Sequence, residues 1–373
     1  MISSQQRGIA LLTVLLILAL ATVASVTMTS RQQLDIRRTA NMLSAEQGYL
    51  VMMSFEEFAR RVLVEDTNNT DSFEDRWALV DSSRLQGVLG FVPELAGFKV
   101  SEVRIEDLQG RFNVNNLFGV DPGQPNEAVE RFRRLLSFPR EVGTPNKPEQ
   151  LSLPPELVNQ TIDWLDNNGL PSGVDGADDS EYLGLNPPYL AANRMMTSAS
   201  EMFHLLRLRS FDENNNDNRG YRRLLGRLIT EFRELIALPR NTPINVNTVN
   251  SPDIFRAIVA GLSEQDASAL HDRVFGTGIS GNIASLKNAT NLFGANDFAD
   301  VNEFLGHAHV SPATNINAMN FELGVTSEYF MLTIEVQREG LTVYMNSILH
   351  RTGANNARRV NVIHRSLGRW GVI

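Results

Sequence analysis

The densest set of potential ligands in the chain is DWLDNNGLPSGVDGADDSEY, residues 163 to 182. Asp163, Asp166, Asp175, Asp178, Asp179 and Glu181 put six carboxyl groups into twenty residues, with glycines and a proline between them. Hard cations such as calcium take six to eight oxygens from carboxylates, amides and carbonyls. Flexible glycine turns let one loop present several of these. The spacing is not that of an EF-hand, because twelve residues counted from Asp166 end at Ala177 instead of a bidentate Glu. The residues alone leave two readings open: a cation-binding loop, or a solvated acidic cap on the helix that follows.

Other candidate chemistry is thin. FDENNNDN, residues 211 to 218, begins Asp-x-Asn-x-Asn, but Asp217 stands where an EF-hand needs Gly and Arg223 where it needs Glu. It reads as an exposed flexible loop. The six histidines contain no HExxH pair, and His307-Ala308-His309 has no nearby carboxylate in sequence beyond Glu303. No serine sits in a Gly-x-Ser-x-Gly elbow, and no glycine loop suits a phosphate. The chain has no cysteine, which removes disulfides, thiolate metal sites and thiol nucleophiles together. These absences point away from an enzyme. A net charge of -9 argues against a nucleic-acid partner, which needs a basic face. Residues 243–275 have the pattern of a helix-hairpin-helix. Its turn, Ala260-Gly261-Leu262-Ser263-Glu264, lacks a second glycine and offers an acid, so a structural or protein-contact role is expected.

Something must position the acidic loop, and the chain begins with a long helix. Ile9 to Met28 is twenty residues without a charge, enough to cross about 30 Å of hydrocarbon. Ala19-Leu20-Ala21 offers a signal-peptidase site, which would leave Thr22 as the mature start. Apolar character nevertheless continues past it. Ile36, Ala40, Leu43, Leu50 and Met53 then recur at helical spacing, so one helix over residues 9–64 is predicted, spanning the membrane at about 9–29. Counting basic residues alone, with Arg31, Arg37 and Arg38 after the span and Arg7 before it, would put the C-terminal side in the cytoplasm. The tiny N-terminal tail and the secreted look of the downstream region outweigh that count.

Beyond the helix, residues 65–75 read as a polar loop. Gly97 to Asp107 alternates as a half-buried strand. Tyr329–Arg338, Glu339-Gly340 and Leu341–Leu349 read as a hairpin. Between them the helix candidates are 126–137, 155–166, 199–209, 220–237, 251–260 and 263–275. Three echoes, Asn113-Val114-Asn115, Asn245-Val246-Asn247 and Asn315-Ile316-Asn317, read as helix caps. The fold class is α+β: a long N-terminal helix and small antiparallel sheet, with a large, mostly α-helical domain inserted in the sheet region. The expected parts are 65–112 and 320–373 for the α/β domain and 113–319 for the insert.

Gln6-Arg7-Gly8 followed by Ile9 and the apolar run resembles the type IV prepilin and pseudopilin leader. That resemblance implies a leader of residues 1–8, cut by prepilin peptidase between Gly8 and Ile9, and a pilin-like fold. Most such subunits carry Glu at the fifth position after the cut, where this chain has Thr13. A buried carboxylate in an apolar helix is costly without a positive partner. In the family that partner is understood to be the terminal amine of the subunit ahead, so Thr13 points to a tip subunit.

Asp163-Trp164-Leu165-Asp166, Pro171, Asp175-Gly176-Ala177-Asp178-Asp179, Tyr182 and Pro243-Ile244-Asn245-Val246-Asn247-Thr248, taken in order with this leader, resemble the K-type minor pseudopilins of the type II secretion system. The resemblance covers nearly the whole chain. It implies a non-enzymatic protein that joins I-type and J-type minor pseudopilins at the tip of the pseudopilus and helps start its assembly for export of folded proteins. It also implies a single-pass inner-membrane protein of a Gram-negative bacterium, with its bulk in the periplasm and exported proteins as further candidate partners. The family includes calcium-bound α-domains, which favours calcium at the acidic loop through Asp166, Asp175, Asp178 and Asp179, with Asn168 a weaker candidate. The rival reading is a secreted or membrane-anchored, calcium-stabilised enzyme or substrate-binding module.

Overall fold

The computed structural model describes residues 4–67, 69–80, 94–95, 97–120, 126–142, 149–209, 216–275, 297–310, 322–353 and 357–368. Helix α1 (Ser4–Glu65) has 62 residues, about 93 Å at 1.5 Å per residue. It passes through Gly8 and Ile9 without a break. Every residue from Leu11 to Leu43 is exposed, including Leu11, Leu15, Leu18, Val23 and Met28. From Gly48 the helix lies on a sheet, burying Gly48, Val51, Met52, Glu56, Ala59 and Leu63 at spacings of three, one, four, three and four. Of the expected stripe only Met53 packs partly against this core, while Ile36, Ala40, Leu43 and Leu50 remain exposed. Gly48 explains the choice: a Cβ there would stand 3.2 Å from both Phe98 and Val343, so the helix docks through its glycine.

The sheet has five antiparallel strands in chain order: β1 (Glu94–Leu95), β2 (Phe98–Asp107), β3 (Tyr329–Arg338), β4 (Leu341–Thr352) and β5 (Arg359–Leu367). The expected hairpin is present, with Arg338 opposite Leu341. Its turn residues Glu339 and Gly340 have φ of 49° and 83°, the mirror-image turn whose twist matches the strands. Alternate residues of β2, β3 and β4 meet α1 in one core that includes Phe98, Val103, Leu332, Ile334 and Met345. Trp77 closes it, edge-on to Phe330 with ring centroids 5.3 Å apart.

The chain leaves the sheet after β2 and returns at β3, and a second core fills the interval from Phe112 to Leu323. Its helices are α2 (Glu127–Ser137), α3 (Glu156–Leu165), α4 (Asp179–Leu183), α5 (Asn216–Thr230), α6 (Pro252–Ile258), α7 (Glu264–Phe275) and α8 (Val301–Gly306). Two of the expected helices are shorter than the periodicity suggests. Residues 199–209 form a 3-10 segment to His204 and a separate turn from Leu206, whose N–H meets the Tyr182 hydroxyl at 3.4 Å. The 220–237 stretch stops at Thr230. Arg233 then takes φ of 54°, and Leu235–Ile236 pairs in parallel with Phe112–Asn113. A second parallel pair joins Ile244–Asn245 to Leu323–Gly324.

The polar loop expected after α1 is present over the described residues from 66 to 75, but Asp66, Asp71, Ser72 and Asp75 in it are buried. Arg351 of β4 reaches Asp66 at 3.0 Å and also pairs with Asp71. Of the 211–218 stretch, 211–215 lie outside the described residues, and 216–218 open α5 instead of continuing a loop.

Candidate functional site

The acidic segment is built at the C-terminal end of α3. Asp163 is fully buried, and its carboxylate accepts the N–H of Ser172 at 3.0 Å and of Ala177 at 2.8 Å. It folds the loop back on the helix. Gly176 permits this, because a Cβ there would lie 2.4 Å from both Asp163 Oδ2 and the Ser172 nitrogen. The Asp-Gly-Ala motif is thus a close-approach site, with Ala177 buried beneath it.

Asp166 is the residue that ends α3, and its N–H donates to the Ile162 carbonyl at 2.9 Å. Its carboxylate accepts Asn168 Nδ2 at 2.8 Å, which occupies the Asn168 amide, while Asn168 Oδ1 accepts the Leu170 N–H at 2.7 Å. Asp178 begins α4 with a capping box. Asp178 Oδ1 accepts the Asp179 N–H at 2.7 Å, while its own N–H donates to Glu181 Oε2 at 2.9 Å. Asp178 Oδ2 is buried without a hydrogen-bond partner. Asp179 Oδ1 accepts the Ala191 N–H at 3.0 Å, and Asp175 is exposed.

The fold therefore sets Asp166 and Asp178 in a common field with Asp163 and uses Asp179 partly as a loop tether. Burial raises the pKa of Asp163 despite the bonds from Ser172 and Ala177, and the Asp178 charge adds to the rise. Burial also raises Asp166, with the Asn168 bond opposing and the charges of Asp163 and Asp178 adding. Among the described residues, none of the six acids between 163 and 182 forms an ion pair. Among the described residues, no three of these acids have ligand atoms within 4.8 Å of one another, so the fold does not bring the expected ligands Asp166, Asp175, Asp178 and Asp179 together as one donor set.

Asp163 was not among the expected ligands, and its backbone role depends on loop geometry that spacing does not carry. A second acid group lies in the stretch that reads from sequence only as a polar loop. Asp66, Asp71 and Asp75 are the one trio among the described residues whose ligand atoms lie within 4.8 Å of one another. Beside them Asp107 of β2 accepts the Thr248 and Ser327 hydroxyls at 2.5 Å and Asn245 Nδ2 at 3.2 Å. This hub joins α1, the sheet and the insert.

The Asn-Val-Asn echoes are more than caps. Asn113 caps the 3-10 turn Val114–Leu117 as expected. Asn245, in contrast, lies in the hub, and the helix that follows is capped by Ser251. The second Asn of each pair staples distant backbone. Asn115 bonds Met196 and Leu238, and Asn247 exchanges bonds of 2.9 and 2.7 Å with Phe298. The Asn315 echo lies outside the described residues. The helix-hairpin-helix pattern is met by α6 and α7, joined through Gly261 at φ 81°. Thr13 lies on the exposed half of α1.

Comparison with known proteins agrees with this architecture. A family model described as type II secretion system (T2SS), protein K, matches residues 110–230, the first part of the insert. The type II secretion system protein K of Pseudomonas aeruginosa is 30% identical over 98% of this chain and 94% of its own length. That of Pectobacterium carotovorum is 26% identical over 99% of each. Among solved structures, a chain of the GspK-GspI-GspJ complex from enterotoxigenic Escherichia coli superposes with a TM-score of 0.62 at 20% identity. The match covers 89% of this chain and all of the other, and it shows a shared fold. On the full-length likeness at 30% identity, the chain belongs to the type II secretion system protein K family, a family of minor pseudopilins.

Proposed function

We propose that this minor pseudopilin sits at the tip of the periplasmic pseudopilus with I-type and J-type partners and helps start its assembly. The observation that carries the reading is α1, apolar and exposed from Leu11 to Met28 and attached to its own sheet only beyond Gly48. An apolar helix of this length needs lipid, and later neighbouring helices, to cover it. One such helix suits a single-pass anchor in the inner membrane, with the sheet and insert in the periplasm. The large insert supports a terminal position, since that bulk would not fit into every layer of a filament. Thr13 agrees, offering no acid to a subunit ahead. The role is assembly, not catalysis, and exported proteins are secondary candidate partners.

Calcium fits the acidic loop on one structural ground, the buried and unpartnered Asp178 Oδ2 among mutually repelling carboxylates. Asp166 and Asp178 would hold the ion, with Asp175 and Asp179 as further donors, and the ion would lock the loop between α3 and α4.

The mature N-terminus tests the main reading. Prepilin peptidase cutting after Gly8 gives a chain that starts at Ile9, whereas a start at Thr22 would mean an ordinary signal peptide and remove the filament role. A second test addresses the tip. Thr13→Glu should leave assembly unchanged, and improved assembly would show that a subunit lies ahead.

A further inference from the structure

His307 and His309 have no carboxylate neighbour in sequence except Glu303, but the fold supplies one. Asp266, on the first turn of α7, stands 2.6 Å from His309 Nδ1. A carboxylate at one imidazole nitrogen holds the proton there and leaves the other nitrogen as a bare lone pair, the usual outer support of a metal-binding histidine. The turn after α8 brings the second ring alongside. The His307 N–H donates to the Phe304 carbonyl at 3.1 Å, and the His307 carbonyl accepts the Val310 N–H at 2.8 Å. The two imidazole centroids are 5.3 Å apart and tilted by 35°. An ion bound at about 2.0–2.1 Å to each nitrogen lies roughly 3.2 Å from each ring centre, so a tetrahedral angle separates the centres by about 5 Å.

We propose that His307 and His309 form a surface site for a borderline divalent transition ion such as zinc, with Asp266 positioning His309. His309 coordinates through Nε2. His307 Nδ1 accepts only a 3.5 Å contact from the His309 N–H, at the outer limit of a hydrogen bond, which a metal there would replace at little cost. The nearby cation, Arg273, is paired with Glu303 at 3.0 Å and stacked over Phe298 at 4.2 Å; burial and then its charge hold the His307 ring towards the neutral form that ligates a metal. Two imidazoles leave coordination positions for water or for a donor from another chain. Imidazole ligands favour zinc, copper or nickel over calcium, which separates this site from the acidic loop in ligand type as well as in place.

Calorimetric titration of the full chain in detergent with zinc, with calcium present in excess to fill any hard-cation site, tests this. One saturable site is expected. His307→Ala and His309→Ala should each weaken it at least tenfold, and Asp266→Asn by about 10–100-fold, the usual loss for an outer carboxylate. Thermal midpoints in chelator should match for all three variants, since both rings are partly exposed. Zinc binding of wild-type strength in the double variant His307→Ala/His309→Ala would overturn the site, as would no saturable binding to wild type. Unchanged affinity in Asp266→Asn would remove the positioning role of that residue and leave the His309–Asp266 contact as a surface clasp.

Discussion

Two acid-rich loops in this chain each follow a helix, and they handle buried charge differently. After α1, Asp66 and Asp71 close on Arg351, a guanidinium almost wholly removed from water, while Asp75 accepts the Ser72 N–H at 2.8 Å. Burial alone would lower the Arg351 pKa, but Asp71 and Asp66 outweigh it and hold the value above the ordinary one. After α3, Asp163, Asp166 and Asp178 have backbone N–H groups and each other, with no cation among the described residues and one oxygen left over. Asp66 and Asp71 share the one Arg351 guanidinium; burial still raises the Asp71 pKa and leaves its Oδ1 without a hydrogen-bond partner, so this strut is held by a cation but only partly neutralised. Carboxylates left short of positive charge need a proton or an ion from solution. The first loop joins α1, sheet and insert through Arg351, and the second has no cation of its own, which is the ground on which an ion is proposed for it.

The comparison is broken most severely at Arg351. Arg351→Met leaves Asp66 and Asp71 buried without their cation, and removing one partner of a buried pair costs about 3–5 kcal/mol. Denaturant unfolding should show a loss of that order, with or without calcium. An equal loss from a substitution in the acidic loop under chelation would show that the two loops do not differ in this way.

A pH series sharpens the strut side. Burial raises the Asp107 pKa to about 6 against the bonds from Ser327, Thr248 and Gln109, with the Asp71 charge raising it further. A carboxyl group with a folded pKa above its unfolded value is favoured protonated. Stability from this group is therefore greatest below pH 4 and declines as pH rises to about 6, beyond which it is level. The span is about 3 kcal/mol at 1.36 kcal/mol per unit. Asp107→Asn should make that part of the profile shallower, with some slope remaining from other raised carboxyls such as Asp163 and Asp166, and an unchanged slope between pH 4 and 6 would take Asp107 out of it.

What the sequence showed and what it hid divide along the same line. The hairpin at Glu339-Gly340, strand β2 and the apolar half of α1 are local patterns, and all are present. The Gly176 turn was visible as a motif but not as a steric requirement. The hub was not legible at all, because Arg351 lies 285 and 280 positions from its partners, and a loop rich in Asp, Asn and Thr looks solvated until the cation is placed. Helix ends were overrun where apolar spacing continued while the chain turned to pair, as at Leu235. The ligand set was read as a row of acids, yet the fold assigns Asp163 and Asp179 to backbone N–H groups and leaves Asp178 with the free oxygen.

The smallest effect is the most specific to the second loop. If calcium fills it, free ion at 100 times its Kd stabilises the chain by about 2.7 kcal/mol, and chelation should lower the unfolding midpoint by several degrees. Equal midpoints with and without chelator would remove the ion from the account. Asp178→Asn then separates charge from capping. Asn keeps an acceptor for the Asp179 N–H and is as good a cap as Asp, so α4 retains its start. Only the charge on the unpartnered oxygen is removed. The variant should unfold near the chelated wild type and lose its response to calcium, while in chelator it should be no less stable than wild type, having one repelling carboxylate fewer. Asp71→Asn, the same change in the other loop, should cost stability in both media because Arg351 loses an anion. If both variants lost equal stability in chelator, the acidic loop would be a second strut that needs its charge without an ion, and the calcium assignment would fall.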